Sequence, residues 1–481
     1  MRLLRGIYEG PGSHGILRVA ASMRGVRAML RALPGEGYFP ALHGAWTRSG
    51  EPAPVHMSPV WEKPKGSREP GDAARDLSEV VRRHPETEAV VVARSEAALL
   101  SGEPAPVIAL PENETGRAPK LVTCEWEAVG VGETEAADHA LEDIVRAHAY
   151  PAEKSPSPTV NLFGPLLFDP NAAAEYEEAE RLLSLLGVGV NARAPLGATV
   201  ADLRRLPRAW ANVLLYRETG DAATLYLQDE FGTPRVTTPM IGAAGTGAIL
   251  WSVGELCGLD PRTIRRTAWN ELGTTAKLPW YARLQAPETF RGIRAAIFGD
   301  FTHTLGLGYA LSREVGLGVG ACGTYLTHLE RDFLFHASTF TDEAFVTDDP
   351  DEVASLIEGS RPDLLIGTHL EEEVAGSLGI PFLPLCPPVL DHPFVERPLM
   401  GYRGSSVLAD LLEDALRQPK REQRAEEEHP PSGLPWTEEA LEELEEIPAF
   451  LRGRTRRLAE ERARATGSLE VTREVLEEAR T

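Results

Sequence analysis

From Val160 onward, short apolar runs alternate with longer stretches in which apolar residues recur every three or four positions. The run Val160-Asn161-Leu162-Phe163-Gly164 predicts a strand, and the Ala, Tyr and Leu spacing of Ala172–Leu186 predicts a helix. Val188-Gly189-Val190 and Val213-Leu214-Leu215-Tyr216 continue as strands, with helices over 199–206 and 222–231, the latter stopped by Gly232 and Pro234. The same rhythm restarts at Ala295-Ala296-Ile297-Phe298-Gly299, with strands expected over 344–347, 363–367 and 380–385. The first third is less regular: it suggests a strand over 3–8, a helix over 17–31 and a strand over 89–93. Strand-helix alternation of this kind builds parallel sheets. The expectation is an α/β fold of three Rossmann-like domains with parallel sheets, over 1–150, 159–285 and 286–417. Proline-rich stretches at 150–158 and 418–434 read as linkers. The remaining 435–481 is expected to form a small C-terminal helical domain, with Thr437 as helix cap, Ala440, Leu441, Leu444 and Ile447 on one face, and Gly467 as a stop.

Charge narrows the function. The chain carries 49 basic and 72 acidic residues, a formal charge of -23, which repels phosphate backbones and argues against nucleic acid as a partner. The most apolar stretch, 240–259, is broken by glycines and Glu255, so no transmembrane segment is expected. The start, Met1-Arg2-Leu3-Leu4-Arg5-Gly6, lacks the pattern of a secretory signal, which implies a cytoplasmic protein. The four cysteines, Cys124, Cys257, Cys322 and Cys386, are too far apart for a zinc knuckle or ferredoxin motif and read as small buried hydrophobes. Gly242-Ala243-Ala244-Gly245-Thr246-Gly247 has neither the Lys-Ser/Thr of a phosphate loop nor the spacing of a dinucleotide fingerprint, so nucleotide is not expected here.

Several loops together carry a family resemblance. They are Tyr8-Glu9-Gly10-Pro11 with His14-Gly15, the segment Ala21-Ser22-Met23-Arg24-Gly25-Val26 read as helix, and Gly35-Glu36-Gly37-Tyr38-Phe39. Further on come Leu206-Pro207-Arg208-Ala209-Trp210, Tyr216-Arg217-Glu218-Thr219-Gly220, Pro279-Trp280-Tyr281-Ala282-Arg283 and Phe298-Gly299-Asp300 with Thr302-His303. In this order they resemble the B subunits of light-independent protochlorophyllide reductase, a nitrogenase-like family, and the terminal Pro435-Trp436-Thr437 module is similar to that family's carboxy-terminal domain. The resemblance implies a nitrogenase component 1-like fold and an ATP-dependent oxidoreductase subunit of chlorophyll or bacteriochlorophyll biosynthesis, active only in complex. It implies an N-type partner in a heterotetramer of two N-B pairs, and an L-type iron-sulfur reductase homodimer that carries the MgATP. A 4Fe-4S cluster shared with the N-type partner and a tetrapyrrole substrate complete the implied set.

Carried over residue by residue, the resemblance makes Glu36 the metal ligand, standing where the family has an aspartate. The alternative reading is a solvated loop carboxylate. Ser95 stands where many relatives have a cysteine and reads most simply as a helix cap. The family's proton-donating aspartate is replaced by Ala286, which cannot donate; Glu288, two positions on, is either a substitute or an exposed glutamate. His392, after Cys386-Pro387-Pro388, is either a proton relay or a loop histidine. Asp300 and His303 either line a pocket at the carboxyl end of a parallel sheet or act as a capping aspartate and a helix histidine.

Three functions follow. The first is reduction of one ring double bond of protochlorophyllide to chlorophyllide by two electrons and two protons. The second keeps that machinery but acts on another porphyrin, chlorin or corrin, which would account for Ala286. The third is a silent partner that binds tetrapyrrole or completes the assembly.

Overall fold

A computed structural model describes residues 8–32, 36, 55–59, 71–102, 105, 109–112, 116, 118–124, 129–167, 169, 171–280, 290, 292–388, 396–428, 434–446, 458–460, 462–463, 466, 468 and 470–478. They contain three parallel sheets. The first holds β1 (Val26–Ala32), β2 (Val55–Pro59), β3 (Ala89–Arg94) and β4 (Lys120–Thr123) in the order β2-β1-β3-β4. The second holds β5 (Thr159–Phe163), β6 (Gly189–Ala194), β7 (Ala211–Leu214) and β8 (Arg235–Val236) in the order β6-β5-β7-β8. The third holds β9 (Arg294–Gly299), β10 (Gly318–Thr324), β11 (Ala344–Val346), β12 (Leu364–Gly367) and β13 (Phe382–Pro384) in the order β11-β10-β9-β12-β13. The expected α/β class with three Rossmann-like sheets is therefore present. Central strands such as Ala89-Val90-Val91-Val92-Ala93 and Ala295-Ala296-Ile297-Phe298 are apolar on both faces because helices cover both.

The first third departs from expectation. The helix expected over 17–31 is instead the helix Gly12–Ser22, followed by β1 from Val26. The chain leaves the helix at Met23, which is extended, and turns at Gly25, whose φ of +73° costs glycine nothing, before entering β1. The segment Ala21 to Val26 is thus a helix end and turn rather than a helix. β10 was not expected because its glycines weaken the strand signal. Gly323 is needed there: a Cβ would stand 2.1 Å from the Phe298 ring of neighbouring β9. The strand expected over 3–8 lies, up to residue 7, outside the described residues.

The sheets are joined by shared cores. One apolar cluster runs from Ile16, Leu30 and Val91 to Phe163, Leu203 and Leu227, linking the first sheet to the second. Another runs from Leu162, Leu183 and Val213 to Ile297, Phe301 and Ile366, linking the second to the third. Residues 1–416 form one compact unit and 417–481 another. The helix Gly401–Glu428 continues past residue 418, where a linker was expected; apart from Pro419, this stretch is mostly Arg, Lys, Gln, Glu and Ala, all good helix formers. In the second unit, Thr437 Oγ1 accepts from Ala440 N at 3.4 Å at the start of the helix Glu438–Glu446, and Leu444, Ala459, Ala463, Val471 and Leu476 form a small core. Ile447 and Gly467 lie outside the described residues. No described helix is long and apolar enough to cross a membrane.

The helices Gly12–Ser22 and Glu133–His148 touch at Gly15, where an added Cβ would lie 1.9 Å from the Glu133 carbonyl oxygen. Gly359, in the helix Pro350–Ser360, has open space at its Cβ position. Gly15→Ala should therefore cost about 1–3 kcal/mol by overpacking. Gly359→Ala should stabilise by roughly 0.5–1 kcal/mol. Denaturant titrations of both variants would check the pair.

Candidate functional site

Two groups of polar residues gather at the carboxyl ends of parallel strands, where open α/β sheets place their ligands. The first lies on the opening sheet. Arg31 of β1 is in register with Arg94 of β3, so the loops leaving both strands start at the same level. Ser95 follows β3, and its Oγ donates to Glu36 Oε2 at 2.6 Å while accepting from Ala98 N at 3.1 Å. Ser95 is thus the cap that the sequence suggested and also a group that holds Glu36. Ser95 is buried and Glu36 half-buried, so the carboxylate keeps a route to the surface. Cys124 is the residue after β4 and is buried on the same edge. All four cysteines are buried, and none is in a disulfide.

The second group lies where the second and third sheets meet, and it unites segments far apart in sequence. Glu218 follows β7, Asp300 follows β9, and Glu175 comes from the helix Ala172–Leu186. Asp300 caps the helix Phe301–Ala310: Oδ1 accepts from His303 N at 3.1 Å, and Oδ2 lies 2.6 Å from His303 Nδ1. The Thr302 hydroxyl donates to Glu218 Oε2 at 2.5 Å, and the Tyr216 hydroxyl donates to Glu175 Oε2 at 2.5 Å. Glu175, Glu218, Asp300 and His303 are each at most 4% exposed. Burial, and then the charge of Asp300, push the Glu218 carboxyl well above its usual pKa. Burial pulls His303 down, but the carboxylates of Asp300 and Glu175 prevail and raise it. The capping aspartate and helix histidine of the sequence analysis are both present, within a larger network.

Tyr8-Glu9-Gly10 borders this network. Tyr8 stacks on Tyr325 with ring centroids 4.4 Å apart. Glu9 Oε2 accepts from Thr134 N at 2.8 Å, placing an anion at the amino end of the helix Glu133–His148. Arg18 bonds Asp169 at 2.7 Å and Glu133 at 3.2 Å. Burial raises the Glu9 carboxyl to about 7, against the lowering effect of the Thr134 bonds.

The glycine-rich segment starts the helix Gly242–Leu256, and the anion at its amino end is the chain's own Glu314, which accepts from Ala243 N and Ala244 N at 2.9 Å each. Glu288, Ala286 and His392 lie outside the described residues. Sequence reasoning passed over Glu175, Glu218 and Glu314. A signal existed for Glu175: it lies on the buried face of an amphipathic helix with Ala172, Tyr176, Ala179 and Leu183, where an unpaired carboxylate is out of place.

Residues 73–417 match the family model described as nitrogenase component 1 type oxidoreductase, and residues 436–480 match that of the proto-chlorophyllide reductase 57 kD subunit. The B subunit of light-independent protochlorophyllide reductase from Heliobacterium modesticaldum is 33% identical over 517 residues, covering 99% of this chain and 97% of that protein. The chain belongs to this B-subunit family. The Chlorobium limicola member is 30% identical over 541 residues, with 100% of this chain and 99% of that protein covered. Among solved structures, "Nitrogenase Cp1 at pH 6.5" superposes with a TM-score of 0.72 at 15% identity, over 87% of this chain and 95% of that one, a likeness of fold. Three of the segments that carry the B-subunit resemblance lie at or beside the seam: Tyr8-Glu9-Gly10, Tyr216-Arg217-Glu218, and Asp300 with Thr302-His303.

Two outcomes are expected. Ser95→Ala removes a helix cap and the bond to Glu36, and should cost about 1–2 kcal/mol in denaturant titration. For Glu9, the folded pKa of about 7 stands above the ordinary 4.5, so its contribution to stability is fully present below about pH 4.5 and is lost as pH rises through about 7. Over that window the wild-type protein should lose stability relative to Glu9→Gln, with no further change above it; equilibrium unfolding of both proteins across pH 4.5–8 reads the difference.

Proposed function

We propose that this chain is the B-type subunit of an ATP-dependent, light-independent protochlorophyllide reductase, contributing to the two-electron, two-proton reduction of one tetrapyrrole ring double bond to give chlorophyllide. Full-length similarity to B subunits, including the terminal module, is the observation that carries this reading. Its partners are then an N-type subunit, in a heterotetramer of two N-B pairs, and an ATP-hydrolysing L-type iron-sulfur reductase, all acting in the cytoplasm.

The chain's own donors fit one ligand of a shared iron-sulfur cluster. Glu36 is a half-buried carboxylate fixed by the Ser95 hydroxyl, beyond the carboxyl ends of β1 and β3, where a partner can bring the remaining ligands. A 4Fe-4S cluster bound there supplies single-electron transfer, and an oxygen ligand donates less charge to it than a thiolate. Ser95, a neutral hydroxyl and a poor iron ligand, serves to orient Glu36. His392 and Glu288 are the candidates for proton delivery in place of the aspartate that Ala286 replaces.

A second reading rests on Ala286 itself: with the acid gone, the same machinery would suit a different porphyrin, chlorin or corrin. Genomic neighbours that encode cobalamin rather than chlorophyll enzymes would favour it.

The test is anaerobic co-purification with the N-type partner. Wild type should yield an N-B complex with cluster iron and its EPR signal. Glu36→Ala should still form the N-B complex while losing or shifting that signal, and unchanged iron and EPR in this variant would remove Glu36 as a ligand.

A further inference from the structure

We propose that Glu218 and Asp300 share one proton in the folded chain, and that this proton is a pH-sensitive lock between the second and third sheets. Glu218 follows β7 and Asp300 follows β9, so a bond between their carboxyl groups spans the seam. An oxygen of each and a ring nitrogen of His303 lie within 4.8 Å of one another, and the two carboxyl groups are hydrogen-bonded. Two ionised carboxylates have no hydrogen to place between them; one proton supplies it and removes their repulsion.

The neighbouring donors are all accounted for without it. His303 Nδ1 lies 2.6 Å from Asp300 Oδ2, and Nε2 faces Glu175 Oε1 at 4.0 Å as an ion pair. A ring flanked by carboxylates on both nitrogens is the imidazolium, which donates from both. The Tyr216 hydroxyl donates to the other Glu175 oxygen. The Thr302 hydroxyl donates to Glu218 Oε2 while accepting from Arg217 N at 3.0 Å. Asp300 and Glu175 thus flank the one cation, and Glu218 is the carboxyl group left without one.

The other charged neighbours are engaged elsewhere. Arg217, next in sequence to Glu218, turns its guanidinium to Asp221 and Asp332. Arg18 is held by Asp169 and Glu133. Tyr8 and Cys386, which face Asp300, are groups whose ionisation burial suppresses. The titration therefore belongs to the Glu218-Asp300 pair. Burial, and then the charge of Asp300, hold the Glu218 carboxyl well above its ordinary 4.5. A proton bound more tightly in the fold than in the unfolded chain adds stability that is fully present below about pH 4.5 and is lost as pH rises through the folded value. Its loss leaves two adjacent carboxylates, one on each sheet, and loosens the junction.

The test compares the full-length wild type with Glu218→Gln, whose amide donates to Asp300 and accepts from Thr302 as the protonated acid does. At neutral pH the wild-type-minus-variant infrared spectrum should contain a protonated carboxyl C=O band; carboxylate bands alone would overturn the proposal. From neutral to alkaline pH the wild-type melting temperature should fall further than that of Glu218→Gln, and parallel curves would overturn the lock. Amide hydrogen exchange of the wild type alone, corrected for its intrinsic pH dependence, should quicken over that range in β7 and the helix Phe301–Ala310 more than in the helix Pro350–Ser360. Uniform quickening would overturn the lock without reference to any variant.

Discussion

Three carboxylic side chains, Glu175, Glu218 and Asp300, are buried where the second and third sheets face each other, and accommodating them constrains how those two sheets pack. Two carboxylates about 4 Å apart repel by about 4 kcal/mol at an effective dielectric near 20, so the group holds together only with compensation at every oxygen. Thr302 and Tyr216 supply hydroxyls, the His303 amide and Nδ1 meet Asp300, and His303 Nε2 stands 4.0 Å from Glu175 Oε1. Thr302 and His303 come from the start of the helix Phe301–Ala310, and Tyr216 from the loop after β7. β5 and β7 are paired in register, and one apolar core running from Leu162 to Ile297 packs their sheet against the sheet of β9.

The opening sheet solves a different problem with the same geometry. Register between β1 and β3 brings Glu36 and Ser95 together beyond the carboxyl ends of these strands, where one hydroxyl both caps a short helix and fixes a carboxylate. The seam is buried, whereas Glu36 remains half-exposed. A buried carboxylate group suits binding and positioning within the chain; a half-exposed one suits a centre completed by another protein. This division fits a B subunit whose proposed redox site lies at an interface.

Much of the fold was legible because it rests on periodicity. The helix Ala172–Leu186 and the strands at β3, β5, β9 and β12 are strongly patterned, and they lie where the apolar rhythm put them. Failures occurred where local signals conflict with packing. A turn from Met23 to Gly25 follows a helix that the apolar pattern alone would have extended, and β10 hides its strand character behind glycines that Phe298 and Arg294 require. The site was legible only in pieces. Asp300 as a cap and Ser95 as a cap follow from local chemistry, but that Ser95 reaches Glu36, or that Glu175 reaches His303, depends on contacts spanning 59 and 128 positions, and no local pattern carries that information. The pairing of Glu36 with the loop after β3 was suggested by family resemblance alone.

Turnover is the most direct test of whether this chain works as a subunit of a light-independent protochlorophyllide reductase. The chain, co-expressed without oxygen alongside the neighbouring N-type and reductase genes, would be given protochlorophyllide, ATP and dithionite while absorbance is followed. The account predicts growth of a chlorophyllide band that depends on ATP and on all three components. A complex that holds its cluster and binds the pigment but leaves its spectrum unchanged would contradict it.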